Sequence, residues 1–282
     1  MAKLDFNNSA KSLSLLNALF FVTASDLVSA DLNQIQKQIQ ENCGLTKYRP
    51  FDNQDTQAFL AANNEIIILS FRGTSSRRDW FTDLDIKFVP SKVGRIHRGF
   101  NEALDYVWKD LMLGLSNLRD KEQAIWITGH SLGGALATLA ADRLTEESIE
   151  INGLYTFGQP KVGDKIFARN FDNKMKKLSF RFVHDEDIVP KVPTFSQGYR
   201  HIGTECFFDR DDKMYTEKIG WYKFISRCNS AAIRSSEKAS EFRAQNPGSF
   251  NDHNLLYYKR CIQENLIKEN GGPRTFKEYI NN

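Results

Sequence analysis

Along this 282-residue chain, short apolar runs of strand length alternate with segments in which apolar residues recur at helical spacing. The run EIIILSF at residues 65–71 is apolar on both faces, as is typical of a strand buried in a parallel sheet. Between residues 100 and 118 apolar side chains recur every three or four positions, which predicts a helix. Further strands are predicted at 124–128, 153–157, 178–183 and 199–208, and further helices at 132–147, 164–177 and 253–268. This alternation predicts an α/β fold, in which helices cover both faces of a predominantly parallel central sheet.

The apolar stretch near the N-terminus, residues 10–30, has two interpretations. As a signal peptide it is weak, because Asp5 and a polar stretch separate Lys3 from the apolar part. As an amphipathic helix it has a broad apolar face. We therefore expect a structural helix here, and a protein that is either cytoplasmic or exported by a route that uses no signal peptide.

Composition and charge narrow the class of protein. Hydrophobic residues make up 41% of the chain and charged residues 26%, which is ordinary for a globular protein. The net charge is only +3, with acids interspersed among the bases, so no nucleic-acid partner is expected. No apolar run approaches the roughly 18 residues that span a bilayer, so no integral membrane segment is expected. No clean boundary divides the chain, which predicts a single domain over residues 1–282 with an unassigned polar excursion at 209–249.

The four cysteines are far apart in the sequence and show no CxxC or metal-ligand spacing. They are Cys43, Cys206, Cys228 and Cys261. Reduced thiols are the default expectation and a disulfide stays open. No metal site is predicted.

The strongest chemical motif, GHSLG at residues 129–133, lies between a predicted strand and a predicted helix. It is the G-x-S-x-G pattern of a nucleophile elbow, a sharp turn that exposes a serine hydroxyl. Gly129 and Gly133 have no side chain, and any larger residue at these positions would collide with the neighbouring strand or helix. Small residues alone also allow tight strand–helix packing, but the position of the motif favours Ser131 as a nucleophile.

A serine nucleophile needs a base, which in this fold follows the serine and an acid along the chain. Three of the five histidines come before that position: His97, His130 and His184. His201 lies within a predicted strand, where a hydrogen-bonded structural role is expected. His253 follows a polar loop and precedes an apolar helix, a place from which a base can project, so we favour His253.

The orienting acid is expected in the loop after the predicted strand at 178–183. Asp185, Glu186 and Asp187 all lie there. Asp187 directly precedes IVPKVP, whose apolar residues would shield the carboxylate and whose prolines stiffen the loop. A shielded carboxylate holds an imidazole in its productive tautomer, which favours Asp187.

Two hydrogen-bond donors are expected for the oxyanion that forms during acyl transfer. The Leu132 N–H would lie at the N-terminus of the helix that follows the serine. Thr74 comes after Gly73 at the carboxyl end of the predicted strand 65–71, the edge where ligands bind in open α/β sheets. Thr74 offers both an N–H and a hydroxyl, although a plain turn is the alternative interpretation of this position.

Eight ordered motifs between Thr56 and Tyr258 carry a resemblance to a known family. They are FRGT, DWFTDL, IHRGF, GHSLGGALA, YTFGQPKVGD, DIVPKVP, HIGTE and DHNLLYY. Together they resemble the fungal-type (class 3) lipases of the α/β-hydrolase fold.

The resemblance assigns a role to each matching residue. It implies that Ser131 is the nucleophile, Asp187 the acid and His253 the base, with Thr74 and Leu132 as the oxyanion donors. Secreted fungal members carry signal peptides and disulfides, and this chain departs from that pattern.

The resemblance also implies an activity. It implies hydrolysis of carboxylic esters, acylglycerols first among them, with no cofactor, a lipid or ester substrate and transient contact with lipid surfaces. A phospholipase A1 and an esterase for soluble or aromatic acyl groups remain alternatives, because these motifs do not separate them. A non-catalytic lipid-binding protein is a more remote alternative.

Residues 75–90 lie where the resemblance places the family's lid. Trp80, Phe81 and Leu84 follow helical spacing there. We expect a mobile cover that offers its aromatic side chains to a lipid surface when it opens. A surface helix with its apolar side against the core is the alternative.

Overall fold

The computed structural model describes residues 4–27, 32–73, 86–120, 122–185, 187–216 and 253–271. The strands of its larger sheet are β1 (Lys47–Asn53), β2 (Thr56–Ala62), β3 (Ile66–Phe71), β6 (Ala124–His130), β7 (Gly153–Phe157), β9 (Ser179–His184), β11 (Thr204–Phe208) and β12 (Met214–Thr216). They lie side by side in that same order. The run from β3 to β11 is parallel, whereas β1, β2 and β12 pair antiparallel at the two edges.

A second, smaller sheet is antiparallel. Its strands are β4 (Phe88–Pro90), β5 (Arg95–His97), β8 (Gly163–Asp164) and β10 (Tyr199–Arg200). Their spatial order is β10-β8-β5-β4.

The helices lie on both faces of the larger sheet. They are α1 (Leu15–Leu27), α2 (Leu32–Cys43), α3 (Arg98–Leu118), α4 (Leu132–Glu146), α5 (Lys165–Met175) and α6 (Leu255–Glu269). Ile67 and Leu69 of β3 pack into a core with α3, α4 and α5, and the alternate residues Ile66 and Ile68 pack into a core with α1, α2 and α6. The prediction of a mainly parallel sheet with helices on both faces is confirmed.

The N-terminal helix is shorter than the predicted stretch of 10–30, because α1 begins at Leu15. It is also buried nearly all round, since it packs against both the sheet and α6. The ring of Phe21 lies 5.7 Å from that of Trp126 on β6 and 4.9 Å from that of Tyr155 on β7. The apolar stretch is thus a core helix.

Two further elements differ from the prediction. The hairpin of β1 and β2 is not predicted by the sequence pattern, because β1 contains Pro50 and several polar residues. An edge strand can contain such residues, since one side of it makes no ladder hydrogen bonds. The predicted strand 199–208 is wrong as one element. Tyr199 and Arg200 pair with β8 in the small sheet, and Gly203, with φ +68°, separates them from β11, so His201 lies outside both strands.

The remaining expectations concern cysteines, metals and membranes. Cys43, Cys206 and Cys261 are buried thiols that form no disulfide with one another, and Cys228 lies outside the described residues. Within the described ranges, no cluster of histidine, cysteine and acidic side chains could hold a metal ion, and no helix is long and apolar enough to cross a membrane. Of the excursion at 209–249, the first residues form the turn before β12 and that edge strand, and the rest lies outside the described residues.

Candidate active site

Ser131 lies in the sharp turn between β6 and α4. The strand ends at His130 and the helix begins at Leu132. Ser131 has φ 58° and ψ −129°, a backbone conformation that costs energy for any residue with a side chain. Its N–H donates to the Phe157 carbonyl on β7 at 2.9 Å, which ties the turn to the neighbouring strand. The structure therefore shows the strained strand–turn–helix that the motif predicts.

The glycines of the motif are required by close backbone approaches. A Cβ on Gly129 would collide with the backbone of Gly133, and one on Gly133 would collide with the end of β3 at Phe71. A Cβ on Gly73 would lie 2.9 Å from the His130 carbonyl oxygen and 3.3 Å from the Ser131 Cβ. The chain that leaves β3 thus passes directly beside Ser131.

Asp187 and His253 form a hydrogen-bonded pair. The distance between Asp187 Oδ2 and His253 Nδ1 is 2.8 Å, and both side chains are fully buried. The Val189 N–H donates to Asp187 Oδ1 at 2.8 Å, and the Tyr258 hydroxyl donates to Oδ2 at 2.5 Å. Both carboxylate oxygens of Asp187 therefore accept hydrogen bonds, which holds the carboxylate and the imidazole in one geometry.

The His253 ring lies against the elbow. It stacks on the ring of His130, the residue before Ser131, with 4.5 Å between centroids. His130 Nε2 lies 2.9 Å from the His253 carbonyl oxygen, and because a carbonyl only accepts, this nitrogen is the donor. The outer nitrogen of His253, Nε2, is buried and has no hydrogen-bond partner among the described residues. The imidazole of His253 therefore lies beside the residue that precedes Ser131.

Gly158 makes room for the pair. It follows β7 with φ 57°, and a Cβ at this position would lie 2.8 Å from both His253 Cε1 and Asp187 Oδ2. Its N–H donates to the Phe182 carbonyl on β9 at 3.0 Å. The loop after β7 can approach the imidazole this closely only because the residue is glycine.

The other candidate residues lie in different places. Leu132 is the first residue of α4, so its N–H belongs to the group that has no partner within the helix. Asp185 lies with its carboxylate 3.4 Å from Arg210 Nε, and the carboxylate that meets His253 is that of Asp187. Thr74 and Glu186 lie outside the described residues, as do Trp80, Phe81 and Leu84 of the predicted lid.

Tyr258 is a site residue that the sequence analysis did not find. Burial and the Asp187 charge raise the pKa of Tyr258 well above its usual value, so the hydroxyl keeps its proton and donates to the carboxylate. The same hydroxyl accepts from the His184 N–H at 3.2 Å. The sequence contains two consecutive tyrosines after His253, and it does not show which of them contacts Asp187. In the structure the side chain of Tyr257 points elsewhere and its hydroxyl donates to Asp212.

Replacement of Tyr258 by Phe is expected to lower kcat for ester hydrolysis about 10-fold or more, because a hydrogen bond to a charged group is lost beside the imidazole. KM should change little, since the hydroxyl is buried and donates to Asp187. The matched control is Tyr257→Phe, which loses a 2.7 Å hydrogen bond to Asp212. That variant should melt at a lower temperature with kcat retained, and equal losses of kcat in both variants would contradict the role given to Tyr258.

Comparison with known proteins agrees with this geometry. Residues 68–197 match the family model described as Lipase (class 3). A secreted mono- and diacylglycerol lipase from Fusarium solani is 35% identical over 168 residues, which cover 56% of this chain and 50% of that protein. The chain spans about half the length of the curated relatives that it matches.

Solved structures share the fold. A mono- and diacylglycerol lipase from Aspergillus oryzae superposes with a TM-score of 0.62 at 26% identity, over 73% of this chain and 86% of that chain. A triacylglycerol lipase whose catalytic centre is a serine protease triad superposes with a TM-score of 0.60 at 27% identity, over 71% of this chain and 83% of that chain. The parallel sheet with a serine elbow defines an α/β-hydrolase. Within that fold, residues 68–197 are similar to the class 3 lipases.

Proposed function

We propose that the protein is a serine hydrolase of carboxylic esters, and specifically a triacylglycerol lipase. The observation that carries the proposal is the buried Asp187–His253 pair, which lies against the strained turn that presents Ser131. An imidazole whose outer nitrogen has no hydrogen-bond partner among the described residues, an orienting carboxylate and an adjacent serine are the parts needed for acyl transfer.

In the proposed mechanism, His253 Nε2 takes the proton from the Ser131 hydroxyl as its oxygen attacks the ester carbonyl. Asp187 stabilises the imidazolium that forms. The oxyanion of the tetrahedral intermediate accepts hydrogen bonds from the Leu132 and Thr74 N–H groups. The imidazolium then gives its proton to the departing alcohol, which leaves the acyl group on Ser131. A water molecule, deprotonated by His253, attacks the acyl-enzyme, and the imidazolium then returns the proton to Ser131 Oγ as the bond to the acyl group breaks and the fatty acid leaves.

Acylglycerols are the proposed substrate class because the similar proteins named above are two mono- and diacylglycerol lipases and one triacylglycerol lipase. Each is 35% identical or less to this chain. The preference for headgroup and acyl-chain length is therefore not transferred from these proteins and is determined by experiment. The predicted lid segment 75–90 is shortened at its end, because Phe88–Pro90 form β4 and pair with β5 in the small sheet. Residues 75–85 are proposed as the lid, with Trp80, Phe81 and Leu84 as the side chains that meet lipid when it opens.

A substrate panel tests this function. The protein is assayed on emulsified triolein, on phosphatidylcholine vesicles and on p-nitrophenyl esters of increasing chain length, with Ser131→Ala as the blank. We expect the highest turnover on triolein and a sharp rise on a short-chain ester once it exceeds its solubility. Preferred turnover of phosphatidylcholine would make the protein a phospholipase A1. A hyperbolic response confined to dissolved esters would make it an esterase without interfacial activation.

A further inference from the structure

The small antiparallel sheet carries most of the exposed apolar side chains of the described structure. Within the described ranges seven large hydrophobic side chains are exposed, and four of them lie on or beside this sheet: Phe195 (65% exposed), Ile166 (61%), Ile86 (42%) and Val93 (39%). We call the surface formed by residues 86–97, 163–166 and 194–200 the small-sheet face. Exposed apolar side chains that concentrate on one face indicate an interaction surface, whereas single ones scattered over a protein do not.

Side-chain contacts join these segments into one surface. The Arg200 guanidinium lies 3.3 Å from the centroid of the Phe195 ring, and the Tyr199 hydroxyl donates to the Ile86 carbonyl at 3.0 Å. The Tyr199 ring stacks at 4.1 Å on the ring of Phe88. The small-sheet face therefore runs without interruption from the 194–200 segment to β4.

The same network continues toward α5. The Arg95 guanidinium lies 4.7 Å from the centroid of the Phe88 ring, and its Nε lies 3.1 Å from Asp164 Oδ2. Asp164 in turn accepts from the Ile166 N–H at 3.0 Å, which places the exposed Ile166 in the first turn of α5. Apolar and cationic side chains thus alternate along the surface.

The charge of the small-sheet face is strongly positive. Its 23 residues contain five basic residues and one acid, Asp164, and the basic residues are Lys87, Lys92, Arg95, Lys165 and Arg200. The net charge of the face is +4, whereas the whole chain has +3, so the remainder is close to neutral. The one acid caps α5 and pairs with Arg95, so it does not face an approaching partner as a free charge.

We propose that the small-sheet face docks the protein on an anionic lipid surface. Exposed apolar side chains partition into the interfacial region of a bilayer, and lysine and arginine residues around them are attracted to negative headgroups. Along the chain, β4, β8 and β10 follow β3, β7 and β9, and the carboxyl ends of those three strands lie at the edge of the larger sheet that carries Ser131. Docking through this face is separate from the proposed lid and does not depend on ester hydrolysis.

Vesicle sedimentation tests the proposal on the full chain. The probes are vesicles of phosphatidylcholine alone and vesicles with about one third phosphatidylglycerol, at about 0.1 M salt. The charge variant is Lys92→Glu with Lys165→Glu, both exposed. Each basic residue near an anionic surface contributes about fivefold in affinity, so removing two should weaken binding to the anionic vesicles by about 25-fold, and reversing their sign by more. The matched control, Lys109→Glu with Lys268→Glu, changes two exposed lysines on α3 and α6 and should stay within about twofold of the unmutated protein.

The apolar contribution is tested by Phe195→Ser with Ile166→Ser. This pair should weaken binding about 10-fold or more, because two large side chains no longer enter the interface. Its control is Tyr106→Ser with Leu113→Ser, exposed positions on α3 that should leave binding unchanged.

Several results would overturn the docking proposal. Equal binding to both kinds of vesicle, or equal losses in the control variants, would show that this face does not select anionic lipid. Self-association of the unmutated protein in sedimentation velocity, abolished by the charge variant, would assign the face to a second copy of the chain. Hydrolysis of a dissolved short-chain ester is measured in parallel and should not change in either small-sheet variant. Because vesicle binding needs no turnover, absence of ester hydrolysis would count against the proposed function and leave the docking result standing.

Discussion

Replacement of Ser131 by Ala is expected to lower ester hydrolysis by about 10³-fold or more, and toward 10⁶-fold if the serine and its base act as one unit. The change removes the only oxygen proposed to attack the ester. Alanine keeps a Cβ in the same strained turn, so the fold should be retained, which is checked by circular dichroism and the melting temperature. Initial rates on a dissolved p-nitrophenyl ester measure the loss. A variant that folds and retains more than about a tenth of the activity would contradict the assignment of Ser131.

Replacement of His253 by Ala is expected to cost as much as the loss of the serine, because without the base the hydroxyl keeps its proton. It also leaves the buried Asp187 carboxylate without its imidazole partner, so the melting temperature should fall as well. The rate on the same dissolved ester, compared with the melting temperature, separates the two effects.

The matched control for this second prediction is His201→Ala. His201 lies between β10 and β11, outside the pair that His253 forms with Asp187. We expect this variant to keep most of its rate at temperatures where it is folded. A well-folded His201→Ala protein that has lost its activity would move the proposed base from His253 to His201.

Periodicity predicted the central strands well because they are buried on both faces. Nearly all residues of β3, β6, β7 and β9 are buried, and most of them are apolar, which gives runs that are visible in the sequence. Edge strands lack that signal. Strand β1 contains Pro50 and polar residues, and it is specified by its pairing with β2, a contact that periodicity cannot report.

The candidate site was predicted where chemistry restricts the choice of residue. The G-x-S-x-G pattern predicts the elbow because only glycine fits beside Ser131, and the structure shows these close approaches at Gly129 and Gly133. The pairing of Asp187 with His253 followed from their order along the chain, and the structure brings these two side chains together. Their catalytic roles stay predictions that kinetics must test.

The supporting residues could not be predicted in the same way. Tyr258 and Tyr257 are adjacent and identical, and only the packing of α6 decides which hydroxyl reaches Asp187. Chain order excludes His130 as the base because it precedes Ser131, yet its ring supports His253 through a stack and a hydrogen bond to the backbone. Nothing in the sequence distinguishes Gly158 from other glycines, and its role becomes visible only in the structure, where the His253 imidazole lies against it. These roles depend on side-chain direction and long-range contact, which a local pattern does not contain.

Labelling with a fluorophosphonate tests the central claim most directly. The reagent phosphonylates a serine only when a base activates its hydroxyl, so the labelled residue identifies the nucleophile without reference to the natural substrate. Peptide mass spectrometry should find stoichiometric modification of Ser131 in the unmutated protein and almost none in the His253→Ala variant. Stoichiometric modification of any other serine, or an unmodified Ser131 in the folded protein, would contradict the account.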